Sequence, residues 1–108
     1  IVKTIRSKFP SSSFILEEGG EHFNHDPLWL IDPLDGTTNF VNNIPFFAIS
    51  IAGFIKNELV VGVIYHPITN ELFFAIKGQG AYMNGKPLKI KKRKTLQMFA
   101  TRFPTNPD

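Results

Sequence analysis

The chain has 108 residues, 43% of them apolar and including eleven phenylalanines, with twelve Lys or Arg against nine Asp or Glu for a formal charge of +3. That length bounds a single domain with material for a core, which excludes a disordered chain, and so small a net charge says little about partners. The absence of cysteine excludes disulfides, thiolate metal ligands and cysteine nucleophiles, and no apolar run approaches the roughly 18 residues of a membrane span, so a soluble cytoplasmic protein is expected.

Val2, Ile5 and Phe9 share one side of a helical wheel, so residues 1–9 read as the end of an amphipathic helix stopped by Pro10. The three serines that follow read as a loop. FILEE, residues 14–18, is expected to be a short strand, residues 19–27 to be irregular, and LWLID, residues 28–32, to be a second short strand ended by Pro33. TTNFVNN can form one or two helical turns, with a threonine capping the start and Asn42 and Asn43 marking the stop before Pro45. FFAISIAGFI, LVVGVIY and ELFFAI, separated by KNE and HPITN, predict an antiparallel meander, and Asn84-Gly85 predicts a tight hairpin inside AYMNGKPL.

These strands are apolar on both alternating sets: Phe47, Ile49 and Ile51 on one, Ala48, Ala52 and Phe54 on the other. Such a sheet needs cover on both faces, and one partial helix with one short one does not supply it. Further helices are therefore expected from outside these residues.

The stretch WLIDPLDGTTNF, residues 29–40, sets Asp32 and Asp35 three apart around a proline and a leucine, followed by Gly36, Thr37 and Thr38. By itself Pro-x-Asp-Gly is ordinary turn chemistry. At the end of an apolar strand, however, the turn can bring both carboxylates and the Leu34 carbonyl to one point. Oxygen donors of this kind suit a hard cation such as Mg²⁺, which would offset the repulsion between the two acids. Glu17 and Glu18 could bring a third carboxylate to the same edge. Gly36, Thr37 and Thr38 open a helix whose first amides have no partner inside it, and such an end can take phosphate. Acids that hold a metal beside an anion-binding turn describe a metal-dependent phosphatase.

The same stretch resembles the Asp-Pro-x-Asp-Gly-Thr-x-Asn-Phe signature of the inositol monophosphatase family, the lithium-sensitive, magnesium-dependent sugar phosphatases. PFFAISIAG and GVIYHPITNELFFAIKGQGAYMNGKPL are also similar to that family, and the likeness runs from about Phe9 to Leu88. The resemblance implies an α+β fold, a layered sandwich with an antiparallel sheet between helices. It implies that Glu17, Asp32 and the Leu34 carbonyl hold the activating Mg²⁺ and that Asp32 and Asp35 hold a second. Thr37 would help orient the attacking water, and Asp35, Gly36, Thr37 and Thr38 would meet the substrate, with Glu17, Asp32 and Thr37 as the catalytic set. No covalent phosphoenzyme is implied. Leu16 stands where the family usually has glycine, and the segment from Glu17 to Asp32 is shorter than is common there. Family members are longer, so the chain is expected to be a central fragment: residues 1–108 as one partial domain, without the N-terminal helices and the C-terminal half.

Other readings carry less. His22 and His25 next to Asp26 could suggest zinc, but no further histidine or cysteine stands at ligand spacing. KIKKRK, residues 89–94, with Phe99 and Phe103, could suit nucleic acid, yet an exposed strand or loop fits it equally well, and nucleic-acid binding is not favoured. GQGAYMNG lacks the third glycine and the βαβ setting of a dinucleotide site.

The sequence is thus read as an Mg²⁺-dependent phosphomonoesterase for inositol monophosphate. Relatives acting on 3′(2′),5′-bisphosphate nucleotides or fructose 1,6-bisphosphate are the nearest alternative, and a non-catalytic fragment or interaction module is the alternative of another class. The expected partners are a small phosphate ester and a second copy in a homodimer, with no membrane; the 108 residues alone are expected to be inactive.

Overall fold

The computed structural model describes residues 1–16, 25–92, 94 and 95. Glu17, Glu18 and His22 lie outside the described residues, as do Phe99 and Phe103. Helix α1 covers Val2–Lys8 and ends at Phe9, just before Pro10, as the proline requires. Seven strands follow in one sheet: β1 (Ser13–Leu16), β2 (Leu28–Asp35), β3 (Ala48–Ile55), β4 (Glu58–His66), β5 (Glu71–Ile76), β6 (Gly80–Met83) and β7 (Lys86–Pro87), with the short helix α2 (Thr37–Val41) between β2 and β3. Their order in space is their order in sequence.

From β2 to β7 every neighbouring pair is antiparallel, as expected of a meander. The first pair is not. Strands β1 and β2 run parallel, with Phe14 beside Trp29 and Leu16 beside Ile31, so the sheet is mixed rather than antiparallel throughout. Residue alternation reports which face a side chain takes, but not the direction of a neighbouring strand; the segment between these two strands is far longer than a hairpin turn.

Two of the turns hold their central residues at positive φ. Lys56 and Asn57 (φ 51° and 62°) close β3 onto β4, and Asn84 and Gly85 (φ 48° and 80°) close β6 onto β7 as the Asn-Gly pair predicts. The Asn84 side chain has a second role: its Oδ1 accepts the Leu72 N–H at 2.8 Å, while the Asn84 N–H donates to the Leu72 carbonyl at 2.8 Å.

The core sits under β1 and β2. Phe14 and Ile31 are buried, Ser13 is fully enclosed, and the Arg6 guanidinium lies 5.0 Å above the Phe14 ring. Trp29 packs against Phe9 with the rings tilted and 5.9 Å apart, donates its indole N–H to Ser12 Oγ at 3.1 Å, and covers Gly53 on the next strand. A Cβ on Gly53 would stand 2.8 Å from the Trp29 ring and 2.6 Å from Val61 Cγ1, so glycine is what lets the indole lie flat on the sheet.

Elsewhere both faces are open. Leu30 (39% exposed) and Ile64 (50%) lie on one face, Leu72 (39%) and Ile76 (36%) on the other. The expectation of a sheet with two apolar faces and too few helices describes these residues.

Candidate active site at the end of β2

The LWLID strand does not end at Pro33; β2 continues to Asp35. Asp32 pairs with Ser50 and Asp35 with Ala48, so three steps on β2 match two on β3, which is a bulge. Pro33 lies inside it, where its missing N–H costs no ladder bond. The consequence for chemistry is direct. In a regular strand, residues three apart point to opposite faces. Because Ser50 and Ala48 share a face, the extra residue brings Asp32 and Asp35 back to one face of the sheet.

Short hydrogen bonds lock the turn. Asp32 Oδ1 accepts the Leu34 N–H at 3.1 Å, the first amide after the proline, and the Leu34 carbonyl accepts the Thr37 hydroxyl at 3.2 Å. Asp32 is half-buried; Asp35 is exposed and, among the described residues, its carboxylate has no hydrogen bond or ion pair. Leu34 thus stands in the chain between two carboxylates.

Gly36 makes the turn possible. At φ 91° and ψ 38° it is the N-cap of α2, in the left-handed region. A Cβ there would approach the Phe46 carbonyl oxygen to 3.0 Å and Phe47 Cα to 3.3 Å. The expected threonine cap is not formed: α2 has no side-chain cap, because the Thr37 hydroxyl donates back to Leu34 instead of accepting an amide. The first helical bond runs from the Phe40 N–H to the Gly36 carbonyl at 3.0 Å, which leaves the amides before it without a helical acceptor. Asn42 caps the other end and Asn43 takes φ 57°, the stop the two asparagines predict.

Asn39 ties this unit to the sheet. Its Nδ2 donates to the Phe46 carbonyl at 2.8 Å, and the Phe40 and Phe47 rings meet edge to face at 5.2 Å. The signal available in sequence was the position of Asn39 within the Thr-Thr-Asn-Phe run.

Asp32, Leu34, Asp35, Gly36, Thr37 and Thr38 are therefore contiguous at one end of β2, while Glu17 lies outside the described residues. Among the described residues no cluster of three His, Cys, Asp or Glu side chains is formed, and His25 joins no metal group. His66 turns to its own loop, with Nδ1 2.6 Å from Thr69 Oγ1 and Phe46 against its ring; Nε2 is buried without a partner.

The model of the inositol monophosphatase family matches residues 1–106. The chain belongs to that family. Its members among known proteins include the Nus factor SuhB of Salmonella typhimurium strain LT2, 48% identical over 108 residues that cover 96% of this chain and 40% of the relative. Inositol monophosphatase 3 of Solanum lycopersicum is 44% identical over 115 residues, covering 100% of this chain and 43% of its own length. In three dimensions the IMPase of Thermotoga maritima superposes with a TM-score of 0.81 at 40% identity, over 88% of this chain and 37% of that one. The chain thus spans about 40% of the length of the curated relatives it matches. Within the inositol monophosphatase fold, these residues form the part that is mostly mixed sheet.

Proposed function

We propose that these residues carry part of the active site of a magnesium-dependent phosphomonoesterase that converts inositol monophosphate to inositol and phosphate. The observation that carries the reading is the bulge in β2, which sets Asp32 and Asp35 on one face of the sheet. Two carboxylates and a carbonyl, with no nitrogen or sulfur donor among them, fit a hard divalent cation. Asp32, Asp35 and the Leu34 carbonyl would hold Mg²⁺, joined by Glu17. When bound, the ion supplies Lewis acidity toward the phosphoryl oxygens and toward water.

The chain's own groups have separate tasks. The amides of Gly36, Thr37 and Thr38 donate to the phosphate, with Gly36 leaving room for its approach. The Thr37 hydroxyl has its proton committed to Leu34, so its oxygen is left to accept a hydrogen bond from the attacking water and orient it. Asp32 is held by the Leu34 amide, which fixes one of its oxygens and leaves the other for the ion. Water attacks in line and the inositol oxygen leaves, so no protein nucleophile is consumed.

Phosphate release from inositol 1-phosphate by the complete polypeptide, with and without Mg²⁺, tests the reading. Release should require the ion and fall at least a hundredfold in Asp35→Asn; unchanged release in that variant overturns the assignment. A second reading, an interaction module that works without turnover, is favoured by the relative named as a Nus factor. It gains if both the parent and Asp35→Asn are inactive on inositol 1-phosphate, on a 3′-phosphoadenosine compound and on fructose 1,6-bisphosphate.

A further inference from the structure

The proposed phosphatase site leaves the lysine-rich end of the chain without a role. Charge is sharply divided along the sequence. Residues 1–71 hold four Lys or Arg against eight Asp or Glu, whereas residues 72–108 hold eight against one, Asp108. The net values are −4 and +7, which the overall +3 conceals.

Of the two plain accounts of KIKKRK, an exposed strand or an exposed loop, the described residues leave the loop. Strand β7 stops at Pro87; after the Leu88 N–H donates to the Ala81 carbonyl, the described residues enter no further helix or strand. Ile90, which would anchor such a strand, is 100% exposed. Lys86, Lys89, Lys91, Lys92 and Lys94 are all exposed, and none has an ion-pair partner among the described residues. Among the described residues the one lysine ion pair is Lys77 with Glu58. Five uncompensated ammonium groups within nine residues repel one another, a cost that a bound polyanion removes.

The run is also rooted away from the site on β2. It leaves the sheet at β7, five strands from β2, which at about 4.8 Å per strand is about 24 Å. That is roughly three Debye lengths at physiological salt, so charge at the root of the run is largely screened from Asp35.

We infer that Lys86, Lys89, Lys91, Lys92 and Lys94 form a binding surface for the phosphate backbone of an extended nucleic-acid strand. The pattern selects this partner over other polyanions. Protein interfaces are depleted of lysine at their centres, so a lysine line with one apolar residue is a poor docking site for a protein. An anionic membrane is held at its surface by a helix with a continuous apolar face, and among the described residues here there is no helix and Ile90 is the one apolar residue between the lysines. A line of point charges in an irregular segment suits a chain of phosphates, read without regard to base.

Fluorescence anisotropy of the complete polypeptide with a mixed-sequence 20-nucleotide RNA, and with DNA of the same sequence, tests the inference. Both strands should bind comparably, since the contacts are to phosphate. With four or five phosphates neutralised, log K should fall against log salt with a slope of about −3, roughly a hundredfold weaker binding at 200 mM than at 50 mM salt. The triple variant Lys89→Gln, Lys91→Gln, Lys92→Gln should bind at least tenfold more weakly and lose about 2 from that slope, with phosphate release and the urea midpoint unchanged. Strand binding that the variant leaves intact overturns the inference, as does binding to phosphatidylserine-containing vesicles with none to either strand. No binding to any of the three probes overturns it as well. Because the lysines lie outside the phosphatase site, loss of activity in Asp35→Asn and loss of strand binding in the triple variant fail or succeed separately.

Discussion

Replacing Gly36 by alanine tests whether the turn between β2 and α2 depends on the absence of a side chain. Two costs add. Holding an L-residue at φ 91° costs about 1–2 kcal/mol relative to glycine. The new Cβ then meets the Phe46 carbonyl oxygen at 3.0 Å and Phe47 Cα at 3.3 Å, both backbone atoms, and the carbonyl is held by Asn39. Crowding of that kind costs about 1–3 kcal/mol. Equilibrium urea unfolding of the complete polypeptide should therefore show a loss of about 2–5 kcal/mol. Gly36→Asn separates the two costs, because asparagine accepts the left-handed region more readily but carries the same Cβ. It should recover only about 1 kcal/mol. A loss below about 0.5 kcal/mol in the alanine variant, or full recovery with asparagine, refutes the reasoning, since either result means that the close approach to Phe46 does not constrain position 36.

Gly53→Ala places a methyl 2.6 Å from Val61 Cγ1 and 2.8 Å from the Trp29 ring; urea unfolding should show a loss of about 1–3 kcal/mol with a blue or red shift of the Trp29 fluorescence. Asn84→Gly keeps the positive φ but deletes the acceptor for the Leu72 N–H, so stability should drop by about 1 kcal/mol in the same assay. Lys56→Asn with Asn57→Gly gives the turn joining β3 to β4, now at φ 51° and 62°, the pair that type I′ geometry favours, and should raise stability by about 0.5–1 kcal/mol. Thr37→Val removes the hydroxyl that bonds Leu34; on inositol 1-phosphate it should reduce kcat tenfold or more with little change in KM, and Thr37→Ser should restore most of the rate.

The division between what was legible in the sequence and what was not follows the range of the physics involved. Turn geometry at Asn84-Gly85, the helix stops at Pro10 and Asn42-Asn43, and the two-faced apolar alternation of the strands depend on φ preferences and side-chain period. Each acts over a few residues and can be read locally. The composition of the Asp32–Thr38 segment, with its proline and its glycine, likewise announced a sharp turn into a short helix. Only the assembled sheet decided that β1 runs parallel to β2, and only pairing with β3 decided where the two aspartates point. Spaced three apart, they belong on opposite faces of an isolated strand; opposite Ser50 and Ala48 they share one, because the bulge is a property of two strands in register and is not encoded in either alone.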